Sequence, residues 1–483
     1  MSEQEYFSQT ATDTWILPCE GDMNNYASCL PSHIASLNMA RGEYEHFQLV
    51  IKTGSNEPLT ISCDGNAEGF DVSCRYLATF DGMLDVLVPC NGKITPEKGL
   101  AKIWVTVKSP EKAKAGKYKE ILRFAGNDTT YAIRLDVQLA DITIPRTPSI
   151  PCVFGVNPNC FRFDGMNSEQ QVQKRREAME LLLDYRLSPY LSTWLSGSMK
   201  VECTSSPYKT DDNRCWEFLS DERFAAIALP SHNLDDAQLT AMLSAAKSKG
   251  LLDKAYFYLW DEPTKMAEYG QIRTLADRIH AIEPSARVLT TYYCGPKDGD
   301  REGDLYAIWD ILDGATSIFC TGVYSLQLNE ARSAQCRASL KDGQEWWTYV
   351  CMGDHPGLAF NSTGVANRAV MWRSWKEQPT GFLYWVVNSF STMDPLRVRA
   401  DLPKGDGLLL FPGEAFGTEG FCVSARLERW RDGEEDYELL KQYGERKGRD
   451  AAEAVLNKVY KGPENYTNIE ADLTAFKKTL LDL

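Results

Sequence analysis

Tyr256-Phe257-Tyr258-Leu259-Trp260-Asp261-Glu262-Pro263 decides the reading of this chain. Its first five residues, all aromatic or aliphatic, read as a buried strand. Two adjacent carboxylates follow, and Pro263 cannot continue a ladder. A helical pattern over 264–283 comes next, with Ile272, Leu275, Ile279 and Ile282 on one face. In an α/β barrel the carboxyl ends of the strands form the reactive face, and the loops after them carry the chemistry. An isolated Asp-Glu-Pro is more often a helix cap, with Asp261 accepting from first-turn amides and Glu262 opposing the helix dipole. The neighbouring strands reverse that preference here.

Working outward, the Pro-rich stretch 142–151 (Pro145, Pro148, Pro151) marks a linker. After it the rhythm becomes strand–helix, the sign of a parallel sheet. Strands are expected at 152–156, 187–192, 224–229, 256–260, 287–293, 316–324, 345–352 and 381–387. The clearest helices fall at 170–185, 235–249, 264–283, 328–340 and 365–376. Eight such strands fit a (β/α)8 TIM-type barrel over 148–403. No Gly-rich phosphate loop follows the first strand, which argues against a doubly wound nucleotide-binding sheet.

Before the linker, residues 1–147 read as an N-terminal β-sandwich. Strands at 43–51, 59–63, 102–107, 116–124 and 129–139 are separated by turn signals such as Gly126-Asn127-Asp128. After the barrel, 404–483 reads as a mixed C-terminal extension packed on it, with a strand at 406–413 and helices at 432–445, 450–460 and 469–483.

The formal charge is 52 − 67 = −15, which disfavours nucleic acid and anionic membranes as partners. No run of about 18 apolar residues spans a membrane. Twelve Trp and 22 Tyr suit a protein that stacks sugar rings, so the partner class expected is a glycan. The fourteen cysteines show no C-x-x-C, and the five histidines are dispersed, so neither a metal nor any cofactor is implied. Met1-Ser2-Glu3-Gln4-Glu5 has no basic and apolar leader, and a cytoplasmic protein is expected as the sequence stands, or a periplasmic or secreted one if a signal has been removed.

Sugar-binding residue types gather at the other strand ends. Asn157 and Asn159 follow the first strand, Thr193 and Trp194 the second, Tyr292 and Tyr293 the fifth, and Tyr324 the sixth. Trp346, Trp347 and Tyr349 lie along the seventh, and Trp385 and Asn388 end the eighth. Each alone is more often core, because alternate residues fill any barrel. Their convergence on one rim selects Asn159, Trp194, Tyr292, Tyr293, Tyr324, Trp347, Trp385 and Asn388 as candidate substrate contacts.

The Tyr258–Pro263 signature resembles that of family 123 glycoside hydrolases, the β-N-acetylgalactosaminidases. Met371-Trp372-Arg373-Ser374-Trp375 leading to Gly381-Phe382-Leu383-Tyr384-Trp385 is similar to the same group, as are Gly405-Asp406-Gly407 and Phe411-Pro412-Gly413. So are Ser424–Glu428, Arg431–Tyr437 and, near the start, Gly42–Val50. Gly413-Glu414-Ala415-Phe416-Gly417 departs from the family's plainer loop. The resemblance implies a retaining, exo-acting enzyme with substrate-assisted catalysis. In that scheme Asp261 orients the 2-acetamido group, whose oxygen attacks C1, and Glu262 protonates the leaving oxygen and then activates water.

The residues agree with this scheme. Retaining glycosidases with a protein nucleophile hold two carboxyls about 5–5.5 Å apart across the sugar. Adjacent strand residues point to opposite faces, and the seventh strand carries its acid, Glu345, at the wrong end. A nucleophile supplied by the substrate is the recognised alternative. Glu262 must then be protonated, helped by the Asp261 charge beside it. Asp261 must stay ionised, accepting the acetamide N–H and a tyrosine hydroxyl. Tyr292, Tyr293 or Tyr324 would bond the acetamide carbonyl, and Trp347 or Trp385 would wall its methyl group. Two further readings stay open: a glycosidase for a sugar without an acetamide, with Asp354 as nucleophile, and a non-catalytic glycan-binding protein.

Overall fold

Alternating apolar residues over the first third of the chain, and strand–helix alternation after it, become two separate sheet systems in the computed structural model of the protein. It describes residues 12–64, 69–195, 198–327, 329–353, 355–362, 364–394 and 396–483. The chain divides into two units, the first taking residues up to 145 with 362–372 and 413–483, the second taking 146–361 and 373–412.

In the first unit one sheet orders Thr14–Pro18, Tyr44–Lys52, Leu100–Lys108, Asp71–Phe80, Met83–Pro89 and Phe421–Ser424 side by side. Ile34–Arg41, Thr130–Thr143, Gly116–Ala125, Leu59–Asp64 and Lys93–Ile94 form another. Leu37, Met39, Leu49, Ile103, Val105, Phe124, Ile133 and Leu135, drawn from both sheets, belong to one apolar cluster. The helix Ala425–Lys447 begins at a Ser424 cap, ahead of the start at 432 expected from the acidic run. Asp432, Glu434, Glu435, Asp436 and Glu438 are all buried. Asp436 accepts from Arg368 at 2.6 and 3.0 Å and from Trp372 Nε1 at 2.8 Å. Buried carboxylates need such partners, and the partners come from strands and helices distant in sequence.

The second unit holds a sheet in the order Val201–Thr204, Ser188–Trp194, Cys152–Val156, Gly381–Tyr384, Glu345–Val350, Ile318–Gly322, Arg287–Tyr292, Ala255–Trp260 and Ile227–Ala228. Eight of these strands run parallel, as expected from the sequence. The ninth, Val201–Thr204, runs antiparallel to Ser188–Trp194 and was not anticipated. It fills a gap left because the strand expected at 224–229 shrinks to Ile227–Ala228 just before Pro230, which has no N–H to give. Ser205 N donates to Ala228 O at 2.9 Å, and Lys200 bridges Trp260, so the sheet nearly closes and fits a barrel. Helices Ser168–Asp184 and Asp236–Ser248 start at capping boxes, Asn167/Gln170 and Asp235/Gln238.

Inside the barrel, Tyr190, Tyr256, Tyr258, Leu289, Cys320, Trp347, Tyr349 and Leu383 form one cluster. Two glycines admit these large rings. A Cβ on Gly381 would lie 2.3 Å from the Trp347 ring, and one on Gly155 would lie 1.9 Å from the Trp385 carbonyl oxygen. The second neighbour is backbone and cannot rotate away. Gly155→Ala should therefore destabilise the barrel by about 3 kcal/mol, the upper end for overpacking. A thermal melt checks this, and an unchanged midpoint would contradict the close approach.

Candidate active site

The Ala255–Trp260 strand aims Tyr256 and Tyr258 inward, and strict alternation would send Leu259 and Asp261 the other way. Alternation fails where it matters. Pairing with Arg287–Tyr292 slips between Tyr258 and Trp260, a bulge that re-aims the following side chain. Asp261 then turns back toward Tyr258, whose hydroxyl donates to its Oδ1 at 2.7 Å. Thr291 Oγ1, from the adjacent strand, donates to the same oxygen at 3.2 Å. Trp194 Nε1, from the end of Ser188–Trp194, donates to Oδ2 at 3.2 Å. The Asp261 amide is fixed by the Met199 carbonyl at 2.8 Å.

Glu262 adopts φ +46°, a left-handed conformation that costs a non-glycine residue about 1–2 kcal/mol. Such outliers persist where the surroundings over-determine them, and they cluster at working sites. Its amide donates to Thr291 Oγ1 at 3.1 Å, and its Oε1 accepts from the Tyr349 hydroxyl. The bulge and the left-handed residue together let two consecutive carboxylates meet different partners on one rim. Thr291 touches both.

Burial raises the pKa of Asp261, and the donors Tyr258, Trp194 and Thr291 oppose that shift without cancelling it. Tyr349 is pushed well above the usual tyrosine range, first by burial and then by the Glu262 charge, so it remains a donor.

Of the residues selected from sequence, Trp194 and Trp385 come together with Asp261. Their rings meet edge to face with centroids 6.4 Å apart, and Trp194 is 36% exposed. Tyr293 and Tyr324 line a separate cavity of about 320 Å³ with Lys297 and Arg332. Tyr292 is not on the rim. It points outward from the sheet, accepts from Thr321 Oγ1 at 2.7 Å, and packs edge-on against Trp309. Its neighbour Thr291 has the inward phase. Trp347 is fully buried one layer below the rim, against Tyr256, with its Nε1 held by Glu345 at 3.0 Å. Asn388 is buried and spends both side-chain atoms on the Asn157 backbone, at 2.8 and 3.1 Å. Asn159 is exposed, and its amide caps onto Asn157 Oδ1. Asp354 lies outside the described residues.

Sequence reading missed Thr291 and the roles of Tyr258, Tyr349 and Asp406. Tyr258 and Tyr349 carried a signal, since both sit in the inward phase of their strands. Asp406 is 3% exposed and accepts from Tyr384 OH at 2.9 Å, Trp385 Nε1 at 3.4 Å and Met352 N at 2.8 Å. Gly407 (φ +71°) flanks it, and a Cβ there would strike the Trp385 ring at 2.8 Å. The loop is shaped to hold that ring.

All fourteen cysteines are free. Cys19, Glu20 and Asp432 of the first unit lie close enough to share an ion, but the Cys19 thiol donates to Asp432 at 3.4 Å and burial holds its pKa high. A cavity of about 990 Å³ in the first unit is lined by none of the residues around the two acids. No helix among the described residues is long and apolar enough to cross a membrane.

A barrel whose rim carries two consecutive, donor-lined carboxylates beside a tryptophan pair has the build of a glycoside hydrolase. Residues 231–443 match the glycoside hydrolase 123 catalytic domain. A family 123 glycoside hydrolase from Clostridium perfringens, described as hydrolysing glycolipid glycans, has a similar structure. Its TM-score is 0.70 at 14% identity, covering 97% of each chain. A GH2 β-galacturonidase from Eisenbergiella tayi aligns with TM-score 0.35 at 10% identity, over 81% of this chain and 69% of that one. No curated protein matches the sequence. Over residues 231–443 the chain is thus similar to the family 123 catalytic domain, and it is a glycosidase.

Three donors hold the Asp261 charge against its burial, so removing one should raise its pKa further. In Tyr258→Phe, and in Trp194→Phe, the acid limb of the kcat/KM profile should move to higher pH than in wild type. A limb that stays in place would separate Asp261 from the activity.

Proposed function

We propose that the protein is a retaining, exo-acting β-N-acetylgalactosaminidase working by substrate-assisted catalysis. The observation that carries this reading is the Asp261 carboxylate. A carboxylate offers about four lone-pair sites, and Tyr258, Thr291 and Trp194 occupy three. One position on Oδ2 remains for the acetamide N–H of a bound sugar. That bond fixes the acetamide with its carbonyl oxygen beneath C1 and stabilises the positive charge that develops on nitrogen as the ring closes. Asp261 is thereby an orienting and electrostatic group, with no covalent role.

Glu262 is the acid and base. Its Oε1 is held by Tyr349, whose high pKa keeps the phenol a donor throughout the cycle. Glu262 gives its proton to the glycosidic oxygen as the C1–O bond breaks, and takes one from the water that later opens the oxazoline at C1. Both displacements invert C1, so the product keeps the β configuration. Trp194 and Trp385 are suited to wall the acetamide methyl and the sugar face, with Asp406 fixing Trp385.

The Clostridium perfringens protein acts on glycolipid glycans, and the same substrate class is inferred for this chain. We also infer that the two N-terminal sheets form the expected β-sandwich, supported by their common apolar core.

Initial rates on the 4-nitrophenyl β-glycosides of N-acetylgalactosamine, N-acetylglucosamine and galactose test the proposal. Turnover should require the acetamide and fall by about 10²–10⁴-fold in Glu262→Gln, the usual worth of a general acid, with a comparable loss in Asp261→Asn. A thiazoline analogue of N-acetylgalactosamine should inhibit. Turnover of the galactoside, or indifference to Asp261→Asn, would replace this mechanism with one using a protein nucleophile.

A further inference from the structure

We propose that His232 is a positioning residue for Asp261. Its ring holds the carbonyl of Leu259, the extra residue of the bulge that turns Asp261 toward its donors. The inference rests on the reading of Asp261 as the group that orients the acetamide.

The bulge creates a backbone problem. The register passes from Tyr258 opposite Leu289 to Trp260 opposite Thr290, so Leu259 has no partner residue in Arg287–Tyr292. Leu259 is fully buried, and a buried carbonyl needs a donor. On the other flank the strand Ile227–Ala228 has already ended. Leu229 N donates to the Tyr256 carbonyl at 2.9 Å, and Pro230 follows with no N–H to offer. His232 supplies the next rung with its side chain. Its Nε2 lies 3.0 Å from the Leu259 carbonyl oxygen. A carbonyl only accepts, so the ring carries a proton on Nε2. Burial lowers the His232 pKa from the usual histidine range, and the Lys200 and Arg278 charges add to that effect. The Leu259 bond and the Glu202 charge oppose it. At neutral pH the ring is therefore neutral, with Nε2 as its donor.

The imidazole is held from two sides. Glu202, on the antiparallel Val201–Thr204 strand, accepts from the Ser231 amide at 3.2 Å and the His232 amide at 2.9 Å. Arg278, on the helix Met266–His280, donates to the Leu234 carbonyl at 2.6 Å and the Ser231 carbonyl at 3.4 Å. It also donates to Asp236 at 2.6 Å. The turn 230–235 is thus clamped by a carboxylate on its amides and a guanidinium on its carbonyls. Beyond the bulge, the Asp261 amide is bonded to the Met199 carbonyl. The Leu259 carbonyl and the Asp261 amide flank Trp260, so His232 and Met199 pin the backbone on both sides of it. Releasing the first pin lets the strand relax toward regular alternation, which turns the Asp261 side chain away from Tyr258.

Two substitutions separate the hydrogen bond from the bulk of the ring. His232→Phe keeps a ring and removes the donor, and His232→Gln returns an N–H at similar reach. Rates on 4-nitrophenyl N-acetyl-β-galactosaminide are measured for both, alone and combined with Asp261→Asn, well below the lowest melting midpoint of the set. His232→Phe should lower kcat about tenfold with KM little changed, within the range that misplacing a working group costs. His232→Gln should recover most of that loss. In the Asp261→Asn background, where no orienting carboxylate is left to misplace, His232→Phe should cost nothing further. Wild-type rates in His232→Phe, equal losses in His232→Phe and His232→Gln, or a full further loss on top of Asp261→Asn would each overturn the assignment and leave the parent function standing. Wild-type rates in Asp261→Asn alone, or a wild type that leaves the substrate intact, would overturn the parent reading and this inference with it.

Discussion

The site depends on one half-buried charge. The Asp261 carboxylate sits where burial penalises ionisation, and three donors from three strands converge to hold it. Each donor is committed by that requirement. Tyr258 must keep its inward phase, Thr291 must reach across from the next strand, and Trp194 must turn its indole N–H to the rim. Thr291 also takes the Glu262 amide, so the same set that holds one acid places the other. The bulge before Asp261 and the left-handed Glu262 are the backbone strain that this convergence supports.

The rest of the barrel keeps that constellation rigid. Large rings fill the interior, admitted by glycines at Gly155 and Gly381 where a methyl group would collide with backbone or indole. Asp406 plays for Trp385 the part that three donors play for Asp261, in reverse, as one buried acceptor gathering a phenol, an indole and a backbone amide. A carboxylate so engaged is a support, and it explains why an acid flanked by glycines belongs at the end of the barrel.

Much of this was legible in the sequence because it obeys local rules. The eight parallel strands, the five long helices between them and the acid pair at the end of Ala255–Trp260 follow from periodicity and Pro/Gly punctuation. What could not be read depends on contacts between distant residues. The antiparallel Val201–Thr204 strand pairs with Ser188–Trp194, beside a strand that is only Ile227–Ala228. The burial of the acidic run 432–438 depends on Arg368 and Trp372, which a distant part of the chain brings to it. Tyr292 and Trp347 failed as rim residues for one reason, that a strand's phase and depth decide where a side chain goes, and one step along the chain exchanges Tyr292 for Thr291. Tyr258 and Tyr349 were visible as inward residues, but nothing local says that their hydroxyls end on Asp261 and Glu262.

The central claim is that Asp261 serves a nucleophile belonging to the substrate. Successive fluorination of the acetamide methyl group of an aryl β-N-acetylgalactosaminide measures this directly, because each fluorine weakens the carbonyl oxygen while leaving the sugar and aglycone unchanged. The account predicts that kcat/KM falls steeply with each fluorine added. A rate that stays flat across the series would contradict it and require a nucleophile from the protein.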